Sequence, residues 1–253
     1  MKQLLSSAAI ALTLCHAPSA LADEVTLVAP GGIRAAIEKL IPEFERRTGH
    51  TVKATFGSGL GTKEQVTRGE PFDVPIVQPP FPLVLASGHV IVSSETPLAT
   101  VAVGVAVRMG APKPDISTPD AVRRMLLAAK SIAYPNAAGG AAAGVSFEQT
   151  LADLGITEQM KTKIKPAQGG AGAMALLAKG EVEIGLTFIS EIITEPGVDV
   201  VGALPRDIST PTALVGFVSA HARSPEAARA LLTYLSSPAA AAVYTAGGLQ
   251  PGR

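Results

Sequence analysis

The sequence predicts an α/β fold in two lobes, each a mostly parallel or mixed sheet flanked by helices, with a ligand cleft between the lobes. Three observations carry this prediction. Strand-like and helix-like segments alternate from Glu24 onward, the pattern of strands that are crossed over by helices. Four glycine-rich turns each follow a strand and open a helix. About 230 of the 253 residues remain once an export signal is set aside, more than the ~100–150 usual for one domain. The lobes are expected at 23–100 together with 206–253, and at 101–205.

Residues 1–22 read as a secretory signal peptide. Lys2 gives the positive start, Leu4 to Cys15 the apolar stretch, and Ala20-Leu21-Ala22 the small-residue cleavage site. The apolar stretch is shorter than the ~20 residues of a membrane span, and no later segment reaches that length. The expected product is exported and soluble, in a bacterial periplasm. The single cysteine, Cys15, leaves with the signal.

The first unit is the strand Glu24-Val-Thr-Leu-Val-Ala29, the turn Pro30-Gly31-Gly32-Ile33-Arg34, and an amphipathic helix from Ala35 to Arg47. The second is Thr51 to Phe56, the turn Gly57-Ser58-Gly59-Leu60-Gly61-Thr62-Lys63, and a helix from about Thr62 to Arg68 that stops at Gly69. A short strand, Asp73 to Val77, leads into Gln78-Pro79-Pro80-Phe81-Pro82, where prolines exclude regular structure. Pro82 to Ser87 forms a short helix. Thr100 to Val107 is a β-rich run that passes from one lobe to the other.

Asp115 to Lys130 reads as a helix, with Ser117-Thr118-Pro119-Asp120 as its start signal. Ser131 to Tyr134 is a strand that runs into the third glycine-rich loop, Pro135 to Gly144, which opens a helix over Val145 to Leu154. The fourth turn, Gln168-Gly169-Gly170-Ala171-Gly172, precedes a helix from Ala173 to Lys179. Glu183 to Phe188 is the next strand. Pro205 to Pro211 is a return connection, Leu214 to Ser219 a strand, and Ala227 to Leu235 and Pro238 to Tyr244 the last helices.

Charge narrows the function. The whole chain has 21 basic and 21 acidic residues, and loss of Lys2 leaves the mature chain at −1. A nucleic-acid binder would show a basic stripe, and none is present. Tryptophan is absent and aromatics make up 4%, too few for stacking platforms. His50, His89 and His221 have no ligand spacing, so no metal site is expected and no cofactor is called for. The Lys-Ser/Thr of a P-loop and the Gly-x-Ser-x-Gly elbow are missing.

The glycine turns point instead to a small anion. A strand that stops at glycine lets backbone approach a ligand, and the helix behind it offers free N–H groups and partial positive charge. Two of the turns also carry a cation, Arg34 and Lys63. The expected ligand-binding residues are Gly31, Gly32, Arg34, Ser58, Gly59, Gln78, Gly144, Gln168, Gly170 and Thr187. Arg34 and Lys63 on solvated helix faces is the competing reading.

Several stretches carry a family resemblance. Gly-Glu-Pro-Phe-Asp-Val at 69–74, Ala-Lys-Gly-Glu-Val-Glu-Ile-Gly-Leu at 178–186 and Ser-Pro-Glu-Ala-Ala-Arg-Ala-Leu-Leu-Thr-Tyr-Leu-Ser-Ser-Pro at 224–238 resemble the periplasmic molybdate-binding proteins of ABC importers. The likeness covers essentially the whole mature chain. It implies a type II periplasmic binding-protein fold, with two α/β lobes joined by hinge strands, and a non-catalytic receptor that delivers an oxyanion to an ABC permease. Two oxyanion-binding positions depart from that family: a serine hydroxyl is replaced by Gly32 and a tyrosine hydroxyl by Phe188, while Ser58 is retained. With Arg34 added, the site suits a larger carboxylate, which guanidinium matches in a bidentate fork. Val28-Ala-Pro-Gly-Gly-Ile-Arg34, Phe56-Gly-Ser-Gly-Leu-Gly-Thr-Lys63 and Phe72-Asp-Val-Pro-Ile-Val-Gln-Pro-Pro80 resemble the aconitate isomerases built on this scaffold. That narrower likeness implies interconversion of trans- and cis-aconitate without a metal.

Moving a double bond along aconitate needs a proton taken from the methylene carbon and one returned at the other end of the allyl system. Lys63 and Tyr134 are the expected catalytic residues. Lys63 serves if neighbouring cations depress its pKa, and otherwise pairs with a substrate carboxylate. Glu64 and Glu191 are further carboxylate candidates at helix starts. Ser58, Thr187 and Gln168 suit hydrogen-bond donation better than base chemistry.

Overall fold

The structure, a computed structural model, describes residues 22–252. The signal peptide expected at 1–22 lies outside these residues except for its last position. The strands are β1 Glu24–Pro30, β2 Thr51–Gly57, β3 Val74–Val77, β4 Val90–Val101, β5 Val103–Arg108, β6 Ile132–Pro135, β7 Ile164–Ala167, β8 Ile184–Phe188, β9 Val198–Ala203, β10 Thr212–Ser219 and β11 Leu249–Pro251. The helices are α1 Arg34–Thr48, α2 Gly59–Thr67, α3 Pro82–Ala86, α4 Pro119–Ala128, α5 Ala142–Asp153, α6 Thr157–Met160, α7 Gly169–Ala178, α8 Ile189–Ile192, α9 Pro225–Leu235 and α10 Pro238–Ala246.

Two mixed sheets result. One has six strands in the order β11-β4-β10-β3-β1-β2, the other five in the order β7-β6-β8-β5-β9. β1 pairs parallel with β2 and β3, and β6 pairs parallel with β7 and β8. Antiparallel strands complete both sheets: β10 joins β3 to β4, and β5 joins β8 to β9. The chain crosses between sheets twice, at Ala102 and over residues 204–211.

The parallel trios matter most, because they align their carboxyl ends. Pro30 lies beside Gly57 at the ends of β1 and β2, and Pro135 beside Ala167 at the ends of β6 and β7. Residues after those strands therefore emerge at a shared edge, where open α/β sheets hold ligands. The strands are held by burial: Val25, Leu27, Val28 and Ala29 of β1 and Leu186 of β8 are fully enclosed, as parallel strands covered on both faces require.

Helix starts are where sequence and structure differ most. The helix expected at Thr62 begins at Gly59, because the Ser58 hydroxyl accepts the Gly61 N–H at 3.0 Å and caps it there. The helix expected at Ala173 begins at Gly169, and the one expected at Val145 begins at Ala142. Gly144 of the third loop and Gly169, Gly170 and Gly172 of the fourth are first-turn residues of the helices. Thr118 caps α4 by accepting the Ala121 N–H at 3.1 Å, as the start signal anticipated. The short edge strands β7, β9 and β11 have no counterpart in the sequence reading. Among the described residues, no helix is long and apolar enough to cross a membrane.

Asp73 ties three parts of the larger-sheet half together. Its carboxylate accepts from the Thr26 N–H at 2.8 Å, the Thr26 hydroxyl at 2.6 Å and the Arg223 N–H at 2.7 Å, joining β1, the entry to β3 and the turn after β10. At 2% exposure no water can replace these bonds. Asp73→Ala is expected to lower the unfolding free energy by about 3 kcal/mol, since several donors lose their acceptor together. Urea denaturation of variant and parent checks this.

Candidate functional site

A cleft of about 530 Å³ lies between the two sheets' carboxyl edges. Four helices of nine or more residues start on its wall: α1 behind Gly31 and Gly32, α2 behind Ser58, α5 behind Ala141, and α7 behind Gln168. Each brings roughly half a positive charge, although in α2 the Leu60 and Gly61 N–H groups already donate to Gly140 and Ser58. Arg34, the first residue of α1, adds a full cation at the wall. Its guanidinium carbon sits 4.9 Å over the Phe56 ring, which steadies the side chain by about 0.5–1 kcal/mol. Helix starts and Arg34 set positive charge on the wall, which also carries Glu191 and Glu195.

The two halves meet on both sides of this space. On one side the Ser190 hydroxyl donates to the Gly32 carbonyl at 2.7 Å, a fully buried bond. There Phe188 packs on Gly32 so closely that a Cβ on Gly32 would lie 2.8 Å from the ring. On the other side the Leu60 N–H donates to the Gly140 carbonyl at 3.2 Å, and the Leu60 side chain covers Gly140.

Of the residues expected to bind ligand, Gly31, Gly32, Arg34, Ser58, Gly59, Gln78, Gln168 and Gly170 line the cleft. Gln78 stands out among them. Its amide is buried, and among the described residues its Nε2 and Oε1 are the buried side-chain atoms that lack a hydrogen-bond partner. The amide packs on Gly59, where a Cβ would fall 2.2 Å from Gln78 Oε1. A buried amide without partners is rare and costs stability.

Gly144, Thr187, Lys63 and Tyr134 do not line the cleft. A Cβ on Gly144 would lie 2.0 Å from the Pro135 carbonyl oxygen, so that glycine serves the packing of α5 on β6. Lys63 is turned away because α2 starts three residues earlier than expected. Thr62 faces inward, fully buried, and Lys63 follows about 100° round the helix, its ammonium donating to the Pro80 carbonyl at 3.1 Å. Tyr134 packs edge-on against Phe147 with ring centroids 4.9 Å apart, and its hydroxyl donates to Glu148 at 3.2 Å. Burial, aided by the Glu148 charge, pushes its pKa up to about 12, so the phenol keeps its proton at neutral pH.

Glu191 is the acid–base group that geometry brings forward. It follows β8 by three residues, lines the cleft with Glu195, and receives a 2.5 Å hydrogen bond from Thr187, which is buried behind it. Burial raises its pKa above the ordinary carboxylate value, and the Thr187 hydroxyl and the Arg34 charge pull the other way. Its signal in the sequence was its place just past the carboxyl end of a strand. His89 and His221, remote in sequence, meet outside the cleft, Nδ1 to Nε2 at 2.8 Å.

A family model described as bacterial extracellular solute-binding protein matches residues 25–250. The chain belongs to that family. An aconitate isomerase of a Pseudomonas species is 34% identical over 251 residues, covering 95% of this chain and 94% of that protein. The molybdate-binding protein ModA of Azotobacter vinelandii is 29% identical over 98% of this chain and 97% of its own. The solved periplasmic molybdate-binding protein of Azotobacter vinelandii superposes with a TM-score of 0.74 at 21% identity, covering 89% of this chain and 98% of that one. The periplasmic binding-protein fold that the sequence implied is thus the fold found.

Gln78→Met keeps the volume and removes the unpartnered amide. In ligand-free protein it is expected to raise the unfolding free energy by about 1 kcal/mol, because a buried polar group without partners costs stability. A higher urea midpoint with an unchanged slope is the result to look for.

Proposed function

We propose that this solute-binding protein is a periplasmic isomerase that interconverts trans-aconitate and cis-aconitate by allylic proton transfer in the cleft, without a cofactor. The observation that carries the reading is the contact of Phe188 with Gly32. In the molybdate binders both positions are expected to offer hydroxyls to the oxyanion; here one is an apolar ring and the other has no room for a side chain. The Phe188 ring fills the place a side chain at 32 would need, and it offers no hydroxyl of its own. Arg34 stands on the same wall.

The remaining features fit a polycarboxylate. A volume of about 530 Å³ falls within the ~300–1,000 Å³ of small organic-molecule sites. Four helix starts and Arg34 offer separate places for three carboxylates, and the Gln78 amide can both donate and accept. Likeness to a protein named aconitate isomerase extends over nearly the full length of both chains.

The chemistry follows from the charge. Removing a proton from the methylene carbon moves negative charge onto a flanking carboxylate. Fixed donors aimed at that oxygen contribute about 3–4 kcal/mol each to the transition state. Returning the proton at the far end of the allyl unit shifts the double bond and sets its new geometry. The halves already meet around the cleft, and exclusion of water strengthens every such contact.

The competing reading is a non-catalytic receptor that passes molybdate or another oxyanion to an ABC permease, and Ser58, retained at the second turn, favours it. Proton NMR of trans-aconitate in deuterated buffer with chelator-treated protein separates the two. The expected result is cis-aconitate formed in proportion to protein, with deuterium entering an allylic carbon. An unchanged spectrum, together with a melting temperature raised by molybdate and not by tricarboxylates, would overturn the proposal. Arg34→Gln is expected to raise KM for trans-aconitate about tenfold or more with a smaller change in kcat, since a charged fork to a carboxylate is lost.

A further inference from the structure

We propose that Glu191 is the group that carries the proton between the two ends of the allyl system. This assignment rests on the isomerase reading. Its geometric basis is the place of one carboxyl group, held by Thr187, packed on Gly170 and facing Gly31 of the other half. Gly170, in the first turn of α7, could carry no side chain: its Cβ would fall 2.3 Å from Glu191 Oε2 and 2.5 Å from the Thr187 hydroxyl. Across the cleft, a Cβ on Gly31 would lie 3.4 Å from Glu191 Oε1. The carboxyl group therefore sits between the starts of α1 and α7, where an anionic ligand is drawn.

The two oxygens have different surroundings. Oε2 accepts the Thr187 hydroxyl, which fixes the rotamer, while Oε1 is directed toward Gly31 and the cleft. Oε1 is thus the basic atom. The charged group acting on it is Arg34 from the opposite wall, and Glu195, past the end of α8, lines the same cleft. Burial strengthens the base by disfavouring its charged form, which suits a weak carbon acid.

The step balances without a co-reactant. The methylene C–H bond breaks, an O–H bond forms at Oε1, and the freed pair joins the adjacent π bond in an allyl system conjugated to a carboxylate. The O–H bond then breaks as a C–H bond forms at the other terminal carbon, which restores the carboxylate. Negative charge leaves Glu191 as it appears on the substrate, so the cleft's total charge is constant throughout. One group acting at both ends implies transfer across a single face of the substrate.

The test compares wild type, Glu191→Gln and Glu191→Asp for turnover of trans-aconitate by NMR and for ligand binding by the shift in melting temperature. Glu191→Gln is expected to lose about 10²–10⁴-fold in kcat while still being stabilised by trans-aconitate. Wild-type kcat/KM should fall as pH drops through a value above the ordinary carboxylate range, because the base must be unprotonated. That acid limb should vanish from the residual activity of Glu191→Gln and persist, at lower rate, in Glu191→Asp. With methylene-deuterated substrate in ordinary water, some label should reappear at the other allylic carbon. Should Glu191→Gln fail to bind, Glu191→Asp decides, and an unchanged kcat there would count against the assignment. A Glu191→Gln kcat within tenfold of wild type overturns the assignment and leaves the isomerase reading standing. Wild type that binds trans-aconitate without converting it overturns both.

Discussion

The contact between the Phe188 ring and the bare Cα of Gly32 governs the geometry of this cleft. It joins the end of β8 in one sheet to the turn after β1 in the other, and the buried Ser190–Gly32 hydrogen bond lies beside it. Any side chain at position 32 would meet the ring at less than van der Waals distance, so the approach of the two halves depends on glycine there. α1 starts just past this contact, and Arg34 is carried with it to the wall. Glu191, three residues beyond Phe188, is carried to the facing wall.

From that arrangement the electrostatics of the site follow. Helices packed on parallel strands direct their starts to the carboxyl edge, and two facing edges bring four such starts together. Many partial charges with one guanidinium suit a ligand with several dispersed negative groups. A carboxyl group among them would be out of place in a site devoted only to anion capture, since it adds repulsion. Its presence, braced by a buried threonine and given room by Gly170, makes sense where a proton has to move. On the isomerase reading, the scaffold of a binding protein takes up chemistry with changes confined to a few positions.

Much of the fold was legible because hydrophobic alternation, proline and glycine act locally. The start signal Thr118-Pro119 and the buried β1, β3 and β8 strands are read from neighbours in sequence. Which residues line the cleft was legible for the same reason: Gly31, Gly32, Arg34, Ser58, Gly59, Gln78, Gln168 and Gly170 sit just past strand ends, and strand ends meet at the cleft. The positions of Lys63 and Tyr134 were not. Lys63 looked close to the second turn, yet three residues' difference in the start of α2 turned it toward Pro80. Tyr134 was read as facing the mouth of the third loop, but its ring is packed on Phe147 inside one half.

By itself, the sequence determined an α/β chain with glycine-opened helices, an anion-seeking set of strand-end residues, and the absence of hydroxyls at positions 32 and 188. These are properties of residue type and short-range order. Only the tertiary structure decided that the Phe188 ring packs on Gly32, that Gln78 is left without partners, and that the Glu191 carboxyl group lies between Gly170 and Gly31. Each of these depends on which atoms from distant segments share a few ångströms of space. That is set by how two sheets pack, and no local pattern encodes it.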